Sequence, residues 1–197
     1  MIAVPAIPSR FSWADYRQWP DGERWELIDG QAWAMAPAPS IKHQTVAGQC
    51  YARLELFLRG KPCRPFIAPT DVKLSEYDVV QPDVLVVCDP DKITQTHIEG
   101  APDLVIEVLS PRTAARDLRD KRTLYEQAGV REYLVIDPLE LYAVHFRRDD
   151  RGRFGEGRVI AAQESVSLAT LADFMLPLWE LFDLPAPGES QAPGPLG

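Results

Sequence analysis

A chain of 197 residues with 46% hydrophobic and 25% charged residues has the make-up of an ordinary globular protein, long enough to bury a sizeable core as one domain. Its formal net charge of -8 excludes a broad basic surface that coats nucleic acid or anionic membrane, and leaves room only for a local basic patch. Three cysteines, Cys50, Cys63 and Cys88, form no CxxC pair, so neither a disulfide framework nor a zinc knuckle is expected and a reducing cytoplasm fits best. No apolar run approaches the length of a membrane span, and the proline-broken start "MIAVPAIPSRF" lacks the basic region of a secretion signal.

In chain order, Ser12 before "WADYRQW", with Asp15 three residues on, predicts a capped short helix. "ERWELIDGQAWAMA" predicts a hairpin about the favoured turn Asp29-Gly30. Ser40 opens a longer helix whose apolar face carries Val46, Cys50, Leu54, Phe57 and Leu58, with Gly60 as its stop. Strands are expected at 64–74, 79–88 and 103–109, then a helix over about 113–128 ended at Gly129, and a strand "EYLVID" at 132–137. A helix between two short apolar strands makes a crossover unit, with those strands parallel.

The rest reads as peripheral. "LYAVHFRR" and "RFGEGRVIA" suggest a hairpin added to the sheet edge, and "LADFMLPLWELF" a short closing helix interrupted by Pro177. A single folded domain over 1–184, with its core at about 40–137, is expected to end in a disordered Pro/Gly-rich tail at 185–197.

Three polar residues break the apolar patterns. Glu107 interrupts "LVIEVL", a run suited to a strand buried on both faces, and Asp83 interrupts "VVQPDVLVVC" in the same way. A buried carboxylate is costly unless paired, protonated or bound to metal, and two acids on neighbouring strands have the makings of a divalent-cation site. Lys121 projects from the middle of the stripe Ala114, Leu118, Tyr125, Ala128, where it can reach a buried carboxylate or an ordered water. Such a trio points to phosphodiester hydrolysis, in which the acids hold Mg²⁺ and the lysine orients water or stabilises charge.

The order helix, three strands, helix, strand from Ser40 to Asp137 resembles the core of the PD-(D/E)XK nuclease superfamily. More closely, "WELIDG", "PSIKHQ", "DVKL", "VVQPDVLVVC" and "GAPDLVIEVLSPRTAARDLRDKRTLYEQAGVREYLVIDP" are similar to the Uma-two family of restriction-endonuclease-like proteins, over about 25–148. The resemblance implies that Asp83 is the aspartate of the "PD" element and Glu107 the acid of the second half-motif. Leu109 stands where that half-motif has its lysine, and the resemblance implies that the lysine has migrated to the following helix, where Lys121 fits. It further implies that the main-chain carbonyl of Val108 ligates the metal and that Glu26 completes the acidic cluster.

The expected fold is therefore α/β: a restriction-endonuclease-like core on a mixed sheet, with a central strand pair carrying Asp83 and Glu107, helices on the faces and hairpins at the margins. The expected activity is a Mg²⁺-dependent endonuclease acting on DNA, with Mn²⁺ as a substitute, and a homodimer is compatible with cutting two strands. The competing reading is a non-catalytic binding or assembly protein that keeps the nuclease fold and uses Glu107 and Lys121 as a structural ion pair. His43 reads as a polar residue at a helix start or a core hydrogen-bonder, Ser110 as a helix cap, and the tryptophans at 13, 19, 25 and 33 as packing residues. Arg112, Arg116, Arg119 and Arg122 form a local basic region suited to phosphates or, interleaved with Asp117 and Asp120, to a solvated helix face.

Overall fold

The computed structural model describes residues 10–20, 22–35, 39–111 and 114–188. The expectations for the first nine residues, for Arg112 and Thr113, and for the tail from 189 onward lie outside the described residues. Helix α1 (Trp13–Tyr16) is fixed by a reciprocal cap: the Ser12 side chain accepts from Asp15 N, and the Asp15 carboxylate accepts from Ser12 N at 2.8 Å. Strands β1 (Trp25–Ile28) and β2 (Gln31–Ala34) pair antiparallel about Asp29 and Gly30, whose φ of 52° and 71° are the left-handed values a two-residue turn demands. In α2 (Ile41–Leu58), Ser40 accepts from His43 N, and His43, Val46, Ala47, Cys50, Leu54 and Leu58 make one buried stripe.

Each of the next two expected strands divides in two. β3 (Arg64–Ile67) and β4 (Val72–Lys73) flank Pro69, while β5 (Val79–Val80) and β6 (Val84–Val87) flank Pro82. A proline cannot donate to a ladder, so at each one the chain leaves one sheet and enters another. After β7 (Ile98–Glu99), which has no counterpart among the expected strands, come β8 (Leu104–Val108) and a helical run. That run consists of α3 (Ala114–Arg116), a π-helical turn (Asp117–Lys121) and α4 (Arg122–Ala128), and ends at Gly129 with φ 97°. β9 (Glu132–Asp137), β10 (Tyr142–Arg147), β11 (Arg158–Ala161), β12 (Ser165–Ser167), β13 (Met175–Pro177) and α5 (Leu178–Leu181) follow. Pro177 caps the start of α5 instead of interrupting it, because the residues before it extend to pair with β12.

The main sheet has the order β11-β10-β9-β8-β6-β3 and is mixed: β8 and β9 are parallel, as the crossover requires, and the other pairs are antiparallel. A second sheet, β2-β1-β5-β4-β7, covers part of one face. Alternation along β8 sends Leu104, Ile106 and Val108 into the core beneath α2 and α5, and Val105 into the core beneath α4. Glu107, two residues beyond Val105, therefore belongs to the α4 side.

Cysteine usage differs from expectation. Cys63 and Cys88 form a disulfide, and Cys50 is free and buried. They lie 25 residues apart, and it is the antiparallel register of β3 and β6, Arg64 opposite Val87, that sets them side by side. Among the described residues no helix is long and apolar enough to cross a membrane.

Candidate active site

The register of β6 and β8 builds the site. Val84 pairs with Ile106 at the last rung of β6 and β8, so Asp83, the residue just before β6, and Glu107, on β8, meet at this end of the ladder. The Asp83 carboxylate closes this end of the ladder, its Oδ2 accepting from Val108 N at 2.8 Å. His43, first residue of the buried α2 stripe, reaches the same oxygen, with Nε2 3.2 Å from Asp83 Oδ2. Burial pushes the His43 pKa down, but Asp83 and the Val108 backbone outweigh it and raise it above the ordinary value.

Across the site, the π turn presents Asp117 and Lys121 together to the interior, with 3% and 2% exposure. Lys121 Nζ donates to Glu107 Oε1 at 2.7 Å, lies 2.8 Å from Glu26 Oε1 and 3.7 Å from Asp117 Oδ1. Tyr125 OH, one turn later, donates to the same Glu107 oxygen at 2.8 Å, and Tyr133 OH donates to the Asp117 main-chain carbonyl at 3.0 Å. Glu26, fully buried on β1, accepts from Gln81 N at 3.2 Å and faces Arg116, whose Nη2 is 3.3 Å from its Oε2.

Asp83, Glu107, Val108, Asp117, Lys121, His43, Arg24 and Arg116 all line one cleft of about 480 Å³ between the N-terminal ends of α2 and of the 114–128 helical run. Its electrostatics are unbalanced. Three carboxylates, Glu26, Glu107 and Asp117, crowd around the ammonium of Lys121, and Glu26 also faces the Arg116 guanidinium. Burial pushes Glu107 up to about 8 against the pull of Lys121, and Asp83, Asp117 and Glu26 add to the push. Burial alone would lower Lys121, yet the surrounding acids hold it well above its ordinary value. Both shifts express one condition, a buried cluster short of positive charge with its ammonium kept protonated.

Among the described residues no three His, Cys, Asp or Glu side chains stand close enough to hold a metal ion between them. The oxygen donors Asp83 and Glu107 beside Val108 nevertheless have the chemistry of a Mg²⁺ site, which takes one or two carboxylates and keeps several waters. Asp83, Glu107, Lys121, Glu26 and Val108 thus converge, from β1, the β6–β8 ladder and the π turn.

Sequence reasoning assigned no site role to His43, Asp117 or Gln81, and left Arg116 between a phosphate contact and a solvated face. A histidine opening an apolar stripe and an acid four residues before a buried lysine were the available signals, and both are common in purely structural settings.

Residues 13–178 match the family model described as "Uma2: Putative restriction endonuclease". The chain is 31% identical over 160 residues to the uncharacterized protein slr1290 of Synechocystis sp., covering 77% of this chain and 83% of that protein. Among solved structures, it superposes with a TM-score of 0.73 on a chain titled "putative nuclease belonging to DUF820 from Anabaena variabilis". That likeness covers 88% of this chain and 98% of the other at 19% identity, and so establishes a shared fold.

Proposed function

Because the chain belongs to the Uma2 family, we propose that it is a metal-dependent endonuclease that hydrolyses phosphodiester bonds of DNA. The observation that carries this reading is that Asp83 and Glu107 meet at one end of the β6–β8 ladder and line one open cleft with Lys121. Asp83 and Glu107, with the main-chain carbonyl of Val108, would hold Mg²⁺, with Mn²⁺ as a substitute. When bound, such a cation neutralises charge on a phosphoryl oxygen and makes a water more acidic.

The chain's own residues supply orientation. Asp83 is held by Val108 N, and Glu107 by Tyr125 OH and Lys121 Nζ, so neither carboxylate must reorganise when substrate enters. An ammonium has three N–H donors; two go to Glu107 and Glu26, and the third, with Asp117 Oδ1 at 3.7 Å, is the one we assign to the attacking water or a phosphate oxygen.

A second reading, a binding or assembly protein on the nuclease fold, draws on the near-complete burial of Lys121 between Glu26 and Glu107, the geometry of a closed ion pair. Nicking of supercoiled plasmid with Mg²⁺ or Mn²⁺ separates the two. Metal-dependent nicking that disappears in identically prepared Glu107→Gln supports the nuclease. Equal behaviour of the two proteins, or no nicking by either, favours the binding protein.

A further inference from the structure

Two arginines of the cleft take no part in the scheme above. Arg24, just before β1, and Arg116, at the end of α3, line the same cleft as Asp83 and Glu107. Arg24 spends one donor: its Nε donates to Gln81 Oε1 at 2.9 Å. Gln81 is itself braced, for its Nε2 donates to Asp71 Oδ1 at 2.8 Å and to Tyr16 OH at 3.2 Å, and its N donates to Glu26 Oε1. This part-buried chain fixes the Arg24 fork by one nitrogen and leaves its terminal nitrogens without a protein partner among the described residues, beside the cleft. Arg116 is used as incompletely: Nη2 faces Glu26 at 3.3 Å, while its Nε is buried with no hydrogen-bond partner.

A guanidinium carries five donors in a plane, stays charged at any working pH, and matches the oxygens of a phosphate in pairs. Two such forks with unspent donors therefore beg for an anion. Asp83, Glu107 and Asp117 repel an anion, and the other basic groups of the lining, Lys121 and His43, are already paired with acids, so the unspent donors of the two arginines are its favoured seat. A chain of net charge -8 also needs local cations if it is to accept a polyanion at all. We infer that Arg24 and Arg116 form a phosphate-binding subsite that seats a backbone phosphate of a nucleic acid beside the Asp83 and Glu107 pair. The inference rests on the nuclease reading for the identity of the phosphate, and on the arginine geometry for its place.

The test is fluorescence anisotropy of a short labelled DNA duplex titrated with the full chain in EDTA over a series of salt concentrations. Arg24→Gln and Arg116→Gln should each weaken binding by roughly tenfold and lower the slope of log affinity against log salt by about one. Arg59→Gln, an exposed position at the opposite end of α2, should leave both unchanged. Arg24 is exposed, so Arg24→Gln should keep its melting temperature even if Arg116→Gln, which takes a partner from buried Glu26, does not. Unchanged affinity and slope in Arg24→Gln would overturn the inference, and so would failure of the wild type to bind the duplex. Displacement of the duplex by inorganic phosphate at concentrations too low to act as salt would overturn the polynucleotide assignment in favour of a free-phosphate site. Arginine-dependent binding without nicking would sink the nuclease reading and leave the subsite standing. Full nicking and binding by both arginine variants would do the reverse.

Discussion

Lys121 and Glu107, 14 residues apart in the chain, meet in the interior with Nζ donating to Oε1 at 2.7 Å, and neither is more than 4% exposed. A charge pair in such a place is costly to assemble and more costly to halve, because removing one partner leaves the other buried alone. The two residues are thus bound to each other energetically whatever else the site does.

Lys121→Met should accordingly destabilise the fold by about 3–5 kcal/mol, while the same substitution in a Glu107→Gln background should cost less, the remaining loss being that of the ammonium beside Glu26 and Asp117. Urea unfolding of the wild type, both single variants and the double variant measures the coupling. Additive losses would mean that the pair is not a unit.

At Asp83 charge and structure can be separated. Asp83→Asn retains an oxygen that accepts from Val108 N, so the melting temperature should move little. Mn²⁺ affinity, followed by calorimetric titration, should fall by about tenfold or more, the scale on which even the outer partners of a metal site act. Undiminished affinity would remove Asp83 from any cation site.

Glu132 carries a pH-dependent share of stability. Burial pushes its carboxyl up, but the contacts from His145, Thr170 and Ala169 outweigh burial and bring it down to about 2 from an ordinary 4.5. A depressed carboxyl stabilises the fold fully above its unfolded value and loses that contribution as pH falls toward its folded one. The stability gap between wild type and Glu132→Gln should therefore be constant above about pH 5 and narrow between about 4.5 and 2. Urea midpoints at pH 7 and pH 3 test this, and an equal gap at both would refute it.

The disulfide makes a simpler claim. Thiol titration of the unfolded, unreduced chain should find Cys50 alone, and after reduction Cys63 and Cys88 as well. All three cysteines reacting without reductant would exclude the bridge.

Local sequence signals match the structure where a few neighbouring residues decide the outcome. Ser12 with Asp15, the Asp29-Gly30 turn, Ser40 before α2 and Gly129 after α4 all act within one turn of the backbone. Pro69 and Pro82 are local signals of the same kind: each divides what reads as one strand into two that serve different sheets. Cys63 and Cys88 carried no comparable signal, since their spacing says nothing until a register is chosen.

By itself, the sequence established the order and type of most elements and showed that Glu107 and Lys121 stand where apolar residues belong. These are statements about periodicity, and periodicity is a property of the chain alone. Asp83, expected inside a strand as well, stands just before β6 because Pro82 divides that run. Only the tertiary arrangement brings Asp83 and Glu107 to one end of the β6–β8 ladder, closes Glu26 on Lys121 from a second sheet, and gathers His43, Arg24 and Arg116 in their cleft. Those relations depend on strand register and on how layers stack, which bring together groups that no local interaction connects.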